Sequence, residues 1–459
     1  MVHQFKLAGR NIVLDTNSGS LHLVDNLAYD VIARYGDSTP EEILAEILPL
    51  YANLPEVNRE EILALLSDIE DLKAKGQLFT PDPEEELAIR AKKKRPGEVK
   101  ALCLHMAHSC NLTCGYCFAR EGTYHGEKAL MSFEVGKQAL DFLRDHSGTR
   151  KNLEVDFFGG EPLLNWDVVK ALVAYGRSQE KAFDKVFRFT LTTNGLSLDE
   201  EVMAFANREM DTVVLSLDGR KEVHDFFRKT PKGGGSYDLV VPKFQELVRR
   251  RRGRGYYIRG TFTSRNLDFT QDIFHMANLG FTELSMEPVV SAPTEPHALK
   301  PAHLPEIFAQ YETLAMEVAK RRGTGEAFRF YHYLLDLDFG PCLHKRLIGC
   351  GSGTEYLAVT PGGALFPCHQ FVGDAAYVMG DVWQGVTNTA LREEMAGCTV
   401  YNRPACNDCW AKLYCGGGCA ANAYHAAGNL QGIDEMGCTL FKKRLECALF
   451  LKTLEYASQ

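Results

Sequence analysis

The chain has 459 residues, too many for one small module and, at about 150 residues per domain, enough for roughly three. Apolar residues at 45% and charged residues at 24%, with 40 glycines and 18 prolines, exclude disordered, collagen-like and coiled-coil compositions and supply a large core. The net charge of −9, from 51 basic and 60 acidic side chains, opposes unspecific adhesion to nucleic acid or anionic lipid.

The first residues, Met1 to Asn11, carry no basic segment followed by an apolar stretch, and no uncharged apolar run approaches the roughly 18 residues needed to cross a bilayer. The expectation is a cytoplasmic protein that engages neither nucleic acid nor membrane. In a reducing compartment its 14 cysteines read as metal ligands or redox groups rather than a disulfide framework.

Short β-like pieces open the chain at Phe5 to Leu7, Ile12 to Asp15 and Leu21 to Val24, the last two joined by the turn residues Asn17, Ser18 and Gly19. Helices follow. Thr39-Pro40-Glu41-Glu42 has the spacing of a capping box with a first-turn proline, and Asn58-Arg59-Glu60-Glu61 opens a second helix in the same way. Pro81, Pro83, an acidic cluster and the basic run Lys92-Lys93-Lys94-Arg95 suit a solvated linker, so a first domain spans 1–85 and a linker 86–99.

From residue 100 apolar runs alternate with amphipathic stretches, the pattern of parallel βα units. Strands are predicted at Ala101 to Met106, Leu153 to Phe158, Phe187 to Thr192, Val213 to Leu217, Tyr257 to Thr263 and Leu284 to Val289. Helices are predicted near 132–146, 166–180, 199–208, 236–251 and 270–279. This is an incomplete (β/α) barrel over 100–325, whose chemistry belongs where strands end and loops begin. The run Arg249 to Arg252 sits at a predicted helix end, where exposed cations complement the macrodipole. Beyond about residue 340 periodicity fades, and ten of the cysteines fall between Cys342 and Cys447, which points to a ligand-organised domain, placed at 326–459.

Directly after the first barrel strand stand Cys110, Cys114 and Cys117, a C-x3-C-x2-C loop with three thiols. Thiolates bind zinc and iron; structural zinc takes a closed set of four ligands, whereas an iron–sulfur cube on three cysteines keeps one iron open. With Tyr116 before the last cysteine, the loop resembles the radical S-adenosylmethionine (SAM) superfamily. The second strand ends in Gly159-Gly160-Glu161-Pro162, which resembles that superfamily's motif for the SAM amino group. Thr193 and Asn194 after strand three and Ser216 after strand four resemble its polar strand ends, which contact the SAM ribose and carboxylate. Asp218 or Arg228 meets the methionyl end or the peptide on this reading; His224, Asp225 and Arg228 equally fit a salt-linked helix start.

Cys350, Gly363, Cys368, Cys406, Cys409, Cys415, Cys419 and Cys438 have spacings that resemble a SPASM domain, which in its family holds two auxiliary [4Fe-4S] clusters. The resemblance assigns Cys406, Cys409, Cys415 and Cys438 to the outer cluster and Cys350, Cys368 and Cys419 to the inner one, with Cys342 the candidate for a fourth inner ligand or no ligand at all. Cys103, Cys398 and Cys447 read as packing thiols.

The first domain resembles the winged-helix-like, PqqD-like peptide-recognition element of ribosomal-peptide maturases, where Leu21, His22, Leu23 and Val24 would pair with a leader peptide by β-augmentation. The order of parts resembles that of maturases of the six-cysteine SCIFF precursor peptides. That resemblance implies three [4Fe-4S] clusters, SAM, a reductant such as flavodoxin or ferredoxin, and a thioether from a peptide cysteine sulfur to an α-carbon. Formylglycine formation, as in anaerobic sulfatase maturases, and a non-catalytic iron–sulfur carrier or peptide-binding module are the alternatives.

Overall fold

The computed structural model describes residues 1–84, 86–87, 97–337 and 343–456, so the basic run Lys92 to Arg95 and Cys342 lie outside the described residues. Strands β1 (Val2–Leu7), β2 (Arg10–Asp15) and β3 (Leu21–Val24) form an antiparallel sheet in the order β1-β2-β3, so β3 has no second strand partner among the described residues. Asp15 makes the β2–β3 turn: its buried carboxylate accepts from the Asn17 and Ser18 amides, and from Thr80 N at 2.8 Å. Helices α1 (Asn26–Tyr35), α2 (Pro40–Leu50) and α3 (Arg59–Ala74) follow, with the Thr39–Glu42 capping box formed and Asn58 accepting from Glu60 N and Glu61 N.

Period-two alternation gives β2 two jobs. Val13 faces the helices with Val31, Ile43 and Ile62, while Ile12 and Leu14 join Phe5 and Leu7 in the core of the main body. The sheet is thereby held against the carboxy-terminal helix. His3 stacks on Trp410 with ring centroids 3.6 Å apart, and its Nε2 meets Glu446 at 3.1 Å. Lys412 and Tyr401 both reach Asp82, at the exit from the first helices.

Six parallel strands come next in strict chain order: β4 (Ala101–His108), β5 (Asn152–Gly159), β6 (Val186–Thr193), β7 (Thr212–Ser216), β8 (Tyr256–Phe262) and β9 (Glu283–Pro288). Helices α4 (Phe133–Asp145), α5 (Trp166–Phe183), α6 (Glu200–Glu209), α7 (Tyr237–Arg251) and α8 (Phe269–Asn278) lie between them, each within a few residues of the stretch its periodicity predicts. Beyond β4 the sheet becomes mixed: β10 (Tyr356–Val359) pairs parallel with β4 and is extended by antiparallel strands from the cysteine-rich region. The two regions therefore share one sheet.

One face of these strands is apolar and fully buried, as at Leu153, Val155 and Phe157 of β5 or Phe187, Phe189 and Leu191 of β6. The alternate residues, polar at Asp156, Thr190, Ser216 and Arg259, line the opposite face, the lumen. The arginine run departs from its expected solvation at Arg251, which is 2% exposed: its guanidinium donates to the carbonyls of Ala206, Met210, Asp211 and Gly255, saturating the end of α6. No described helix is long and apolar enough to cross a membrane.

Because Ile12 fixes the first sheet to the main body from a fully buried position, Ile12→Ala should cost about 2–5 kcal/mol. Thermal denaturation is expected to show a lowered midpoint and earlier proteolysis of the first 80 residues, whereas Ala substitution at exposed Leu63 should leave both unchanged.

Candidate active site

The loop after β4 is fastened by backbone at unusually short range. Gly160 N donates to Ala107 O at 2.8 Å and Glu161 N to Ser109 O at 2.9 Å, so the end of β5 lies directly under the thiol loop. A β-carbon on Gly160 would stand 2.1 Å from Ser109 O, and one on Gly159, whose φ is +120°, 2.5 Å from Ala107 O. Only glycine fits at either position.

On this seat Cys110, Cys114 and Cys117 are free thiols and electrostatic neighbours. Burial, then Glu161 and the other two cysteines, pushes Cys110 up to about 12. Burial pushes Cys114 up to about 11, with Arg228 opposing. Asn194 Nδ2 lies 3.5 Å from Cys110 Sγ and 2.8 Å from Asn111 Oδ1, which links the loop to the end of β6. Thr113 and Cys114 also pair antiparallel with Lys229 and Arg228, closing the loop from the far side.

Several residues that the family resemblance assigns to SAM have side chains turned into the fold. The Glu161 carboxylate is fully buried and accepts from Leu163 N, Thr193 Oγ1 and Asn194 N at 3.1, 2.7 and 2.8 Å. It ties β5 to β6, and Thr193 is committed with it. Arg228 makes a two-pronged ion pair with buried Asp218, Nε to Oδ2 at 2.8 Å and Nη2 to Oδ1 at 3.1 Å, and the Tyr116 hydroxyl donates to the same carboxylate at 2.6 Å. His224 and Asp225 belong to the helix start, bonding Ser236 and the Tyr237 amide. Ser216 stands at the end of β7 in register with Arg259. Pro162 opens a 3-10 turn, buried beside Leu163.

The later cysteines gather in two sets. Cys368 is driven up to about 12 by burial and then by Cys419 and Cys350. Cys415 rises to about 12 through burial and its neighbours Cys438, Cys406 and Cys409. Cys398 and Cys447 are buried apart from these sets, whereas buried Cys103 is an electrostatic neighbour of Cys368.

Between the loop and Cys368 lie side chains that motif reading missed. His105 and His108 are joined Nδ1 to Nε2 at 3.1 Å, both rings lie against Tyr124, and His369 contacts Phe118 and Phe158. Deeper in the lumen, Asp156 and Arg259 face the strand interior near Glu287, which meets Arg444 at 3.3 Å and His332 at 3.4 Å. Their signal is present in the sequence as polar residues recurring every second position inside apolar strands.

Residues 104–287 match the model of the Radical SAM superfamily. Over 447 residues the chain is 21% identical to the radical SAM cyclopropyl synthase TigE of Paramaledivibacter caminithermalis, covering 92% of this chain and 89% of TigE. It is 24% identical to a cysteine-type anaerobic sulfatase-maturating enzyme of Clostridium novyi, over 74% of this chain and 92% of that one. It is 22% identical to the subtilosin biosynthesis protein AlbA of Bacillus subtilis, over 88% and 86%. In fold it is similar to anSMEcpe solved with AdoMet and peptide, with TM-score 0.65, 20% identity, and coverage of 78% of this chain and 99% of that one. Streptococcus suis SuiB with its precursor peptide SuiA gives 0.54 at 14% identity, over 95% and 98%.

The donor set fits iron–sulfur cofactors. Among the described residues no three His, Cys, Asp or Glu converge closely enough for a single metal ion, yet the thiols are one another's electrostatic neighbours, and the carboxylates nearest the first set, Glu161 and Asp218, are engaged by donors of their own.

Glu161 supplies a pH test. Burial outweighs its three donors and raises it from 4.5 to about 7, so the folded state holds a proton that the unfolded state releases. Its contribution to stability is complete below pH 4.5 and lost as pH rises through about 7. Thermal midpoints across this window should show a decline that Glu161→Gln lacks.

Proposed function

We propose that this chain is a radical SAM enzyme, a peptide maturase that joins a cysteine sulfur to an α-carbon within a ribosomally made, cysteine-rich precursor peptide. The observation that carries the reading is the second set of thiols, Cys350, Cys368 and Cys419, which stands on the lumen side through His369 and Phe158 and offers three ligands. AlbA, named for subtilosin biosynthesis, and SuiB, solved with its precursor, support peptide modification as the class.

Cys110, Cys114 and Cys117 would hold the cluster that cleaves SAM, Cys350, Cys368 and Cys419 the inner auxiliary cluster, and Cys406, Cys409, Cys415 and Cys438 the outer one. When bound, these groups supply reductive SAM cleavage, hydrogen-atom removal and a sink for the remaining electron. The protein's share is placement. Glycines 159 and 160 bring β5 under the loop, Asp218 fixes Arg228 and Tyr116 beside Cys114, and the lumen admits the peptide. Ser216, Asn194 and the backbone of 159–162 would contact SAM. A leader peptide would add to the β3 edge at Leu21, His22, Leu23 and Val24, where Leu23 is exposed. A flavodoxin or ferredoxin would provide electrons in the cytoplasm.

Closure of the thioether removes one hydrogen from sulfur and one from carbon. Co-expression with a short cysteine-rich reading frame beside the gene should give a peptide two hydrogens lighter per crosslink, with one fewer thiol open to alkylation. The sulfatase-maturase likeness favours formylglycine as the second reading, and a hydrazine-reactive carbonyl in the peptide would establish it instead. Reconstituted protein that forms no 5′-deoxyadenosine from SAM under dithionite would overturn both.

Replacing Cys110, Cys114 and Cys117 together by Ala should remove roughly a third of the bound iron and abolish SAM cleavage. Cys342→Ala should leave iron content unchanged, because the inner set keeps its fourth position for the substrate thiol; loss of iron on this substitution would assign Cys342 as a ligand.

A further inference from the structure

We propose that the barrel lumen contains a carboxylate site centred on Arg259, which receives an acidic side chain of the substrate peptide close to the cysteine being modified. The inference rests on the peptide-maturase reading.

Arg259 is the one exposed residue of β8, a strand hydrogen-bonded on both sides, in register with Ser216 on β7 and Ser285 on β9. Its neighbours on the strand alternate: Ile258 and Gly260 are buried toward the helices, so Arg259 projects into the lumen. A guanidinium in the middle of a sheet usually has a carboxylate assigned to it. Here no hydrogen bond or ion pair joins it to any described residue.

Of the two nearby acids, Glu287 and Asp156, only Glu287 is bound by other side chains. Glu287 is taken by Arg444 at 3.3 Å and His332 at 3.4 Å, and Ser285 by His332 at 3.1 Å. Asp156 lies within electrostatic reach of Arg259 but makes no ion pair with it among the described residues; burial raises its carboxyl to about 6 while Arg259 opposes the rise, and its buried Oδ1 has no hydrogen-bond partner. Two guanidiniums, Arg259 and Arg444, share this end of the lumen with two acids, Glu287 and Asp156, and of the two cations only Arg444 makes an ion pair there among the described residues, which leaves the Arg259 fork open.

Position separates this site from the SAM end. The cation beside the thiol loop is Arg228, which influences Cys114 and is bound to Asp218. Arg259 instead acts electrostatically on His369, next to Cys368, and on His332 and Glu287. It faces the side where the inner thiols would receive a substrate cysteine. The planar fork of arginine suits bidentate capture of a carboxylate.

The test uses reconstituted holoenzyme and two blocked peptides, acetyl-Gly-Cys-Gly-Glu-Gly-amide and its Gln counterpart, whose only difference is the side-chain carboxylate. Ligand-observed NMR titration should give about tenfold tighter binding of the Glu peptide to the wild type. Arg259→Gln should erase the preference and Arg259→Lys retain part of it, with SAM affinity unchanged in both by equilibrium dialysis. A loss of SAM affinity in Arg259→Gln with the peptide preference intact would make this a cosubstrate site and overturn the proposal. Equal binding of the two peptides to wild type, or none, overturns it as well; the maturase reading falls only if the precursor experiment also fails.

Discussion

The contact on which this site depends is between two backbones. Where β5 passes under the loop that follows β4, a carbonyl oxygen occupies the space a side chain would need, and the strand ends lock together through Gly160 N and Glu161 N. The three thiols have no metal-independent reason to be neighbours; burial and mutual repulsion of their anions disfavour it. Rigid backbone hydrogen bonding beneath them offsets that cost before any cofactor arrives.

Around this seat the polar side chains work as ties between strands. Glu161 binds β5 to β6 through Thr193 and Asn194, and Asn194 in turn touches Cys110. Asp218 collects Arg228, Tyr116 and the Thr261 amide, which joins β7, β8 and the cysteine loop. Buried carboxylates of this kind are costly alone and stable when every lone pair has a donor. The same side chains that family resemblance assigns to a cosubstrate thus hold the strand ends at fixed spacing.

The cysteine-rich region is not a separate appendage. Its strand β10 extends the barrel sheet beside β4, and the long helix Glu435–Tyr456 packs against both the first sheet and the barrel, with Arg444 reaching Glu287 in the lumen and Glu446 reaching His3. Thiol sets, lumen and amino-terminal sheet are therefore coupled through shared elements, and a displacement of that helix would be felt at all three.

The sequence by itself determined the order and type of the elements, because apolar periodicity and capping residues such as Thr39 and Asn58 are local properties. It also marked the thiols, since cysteine spacing on one loop constrains which of them can meet. What it left open depends on residues far apart in the chain. That Arg228 pairs with Asp218, that Arg251 meets four carbonyls rather than water, and which polar residues share the lumen with Arg259 are decided by strand register and helix packing. Alternation along a strand says that a side chain points inward, but only the assembled sheet says what stands opposite it.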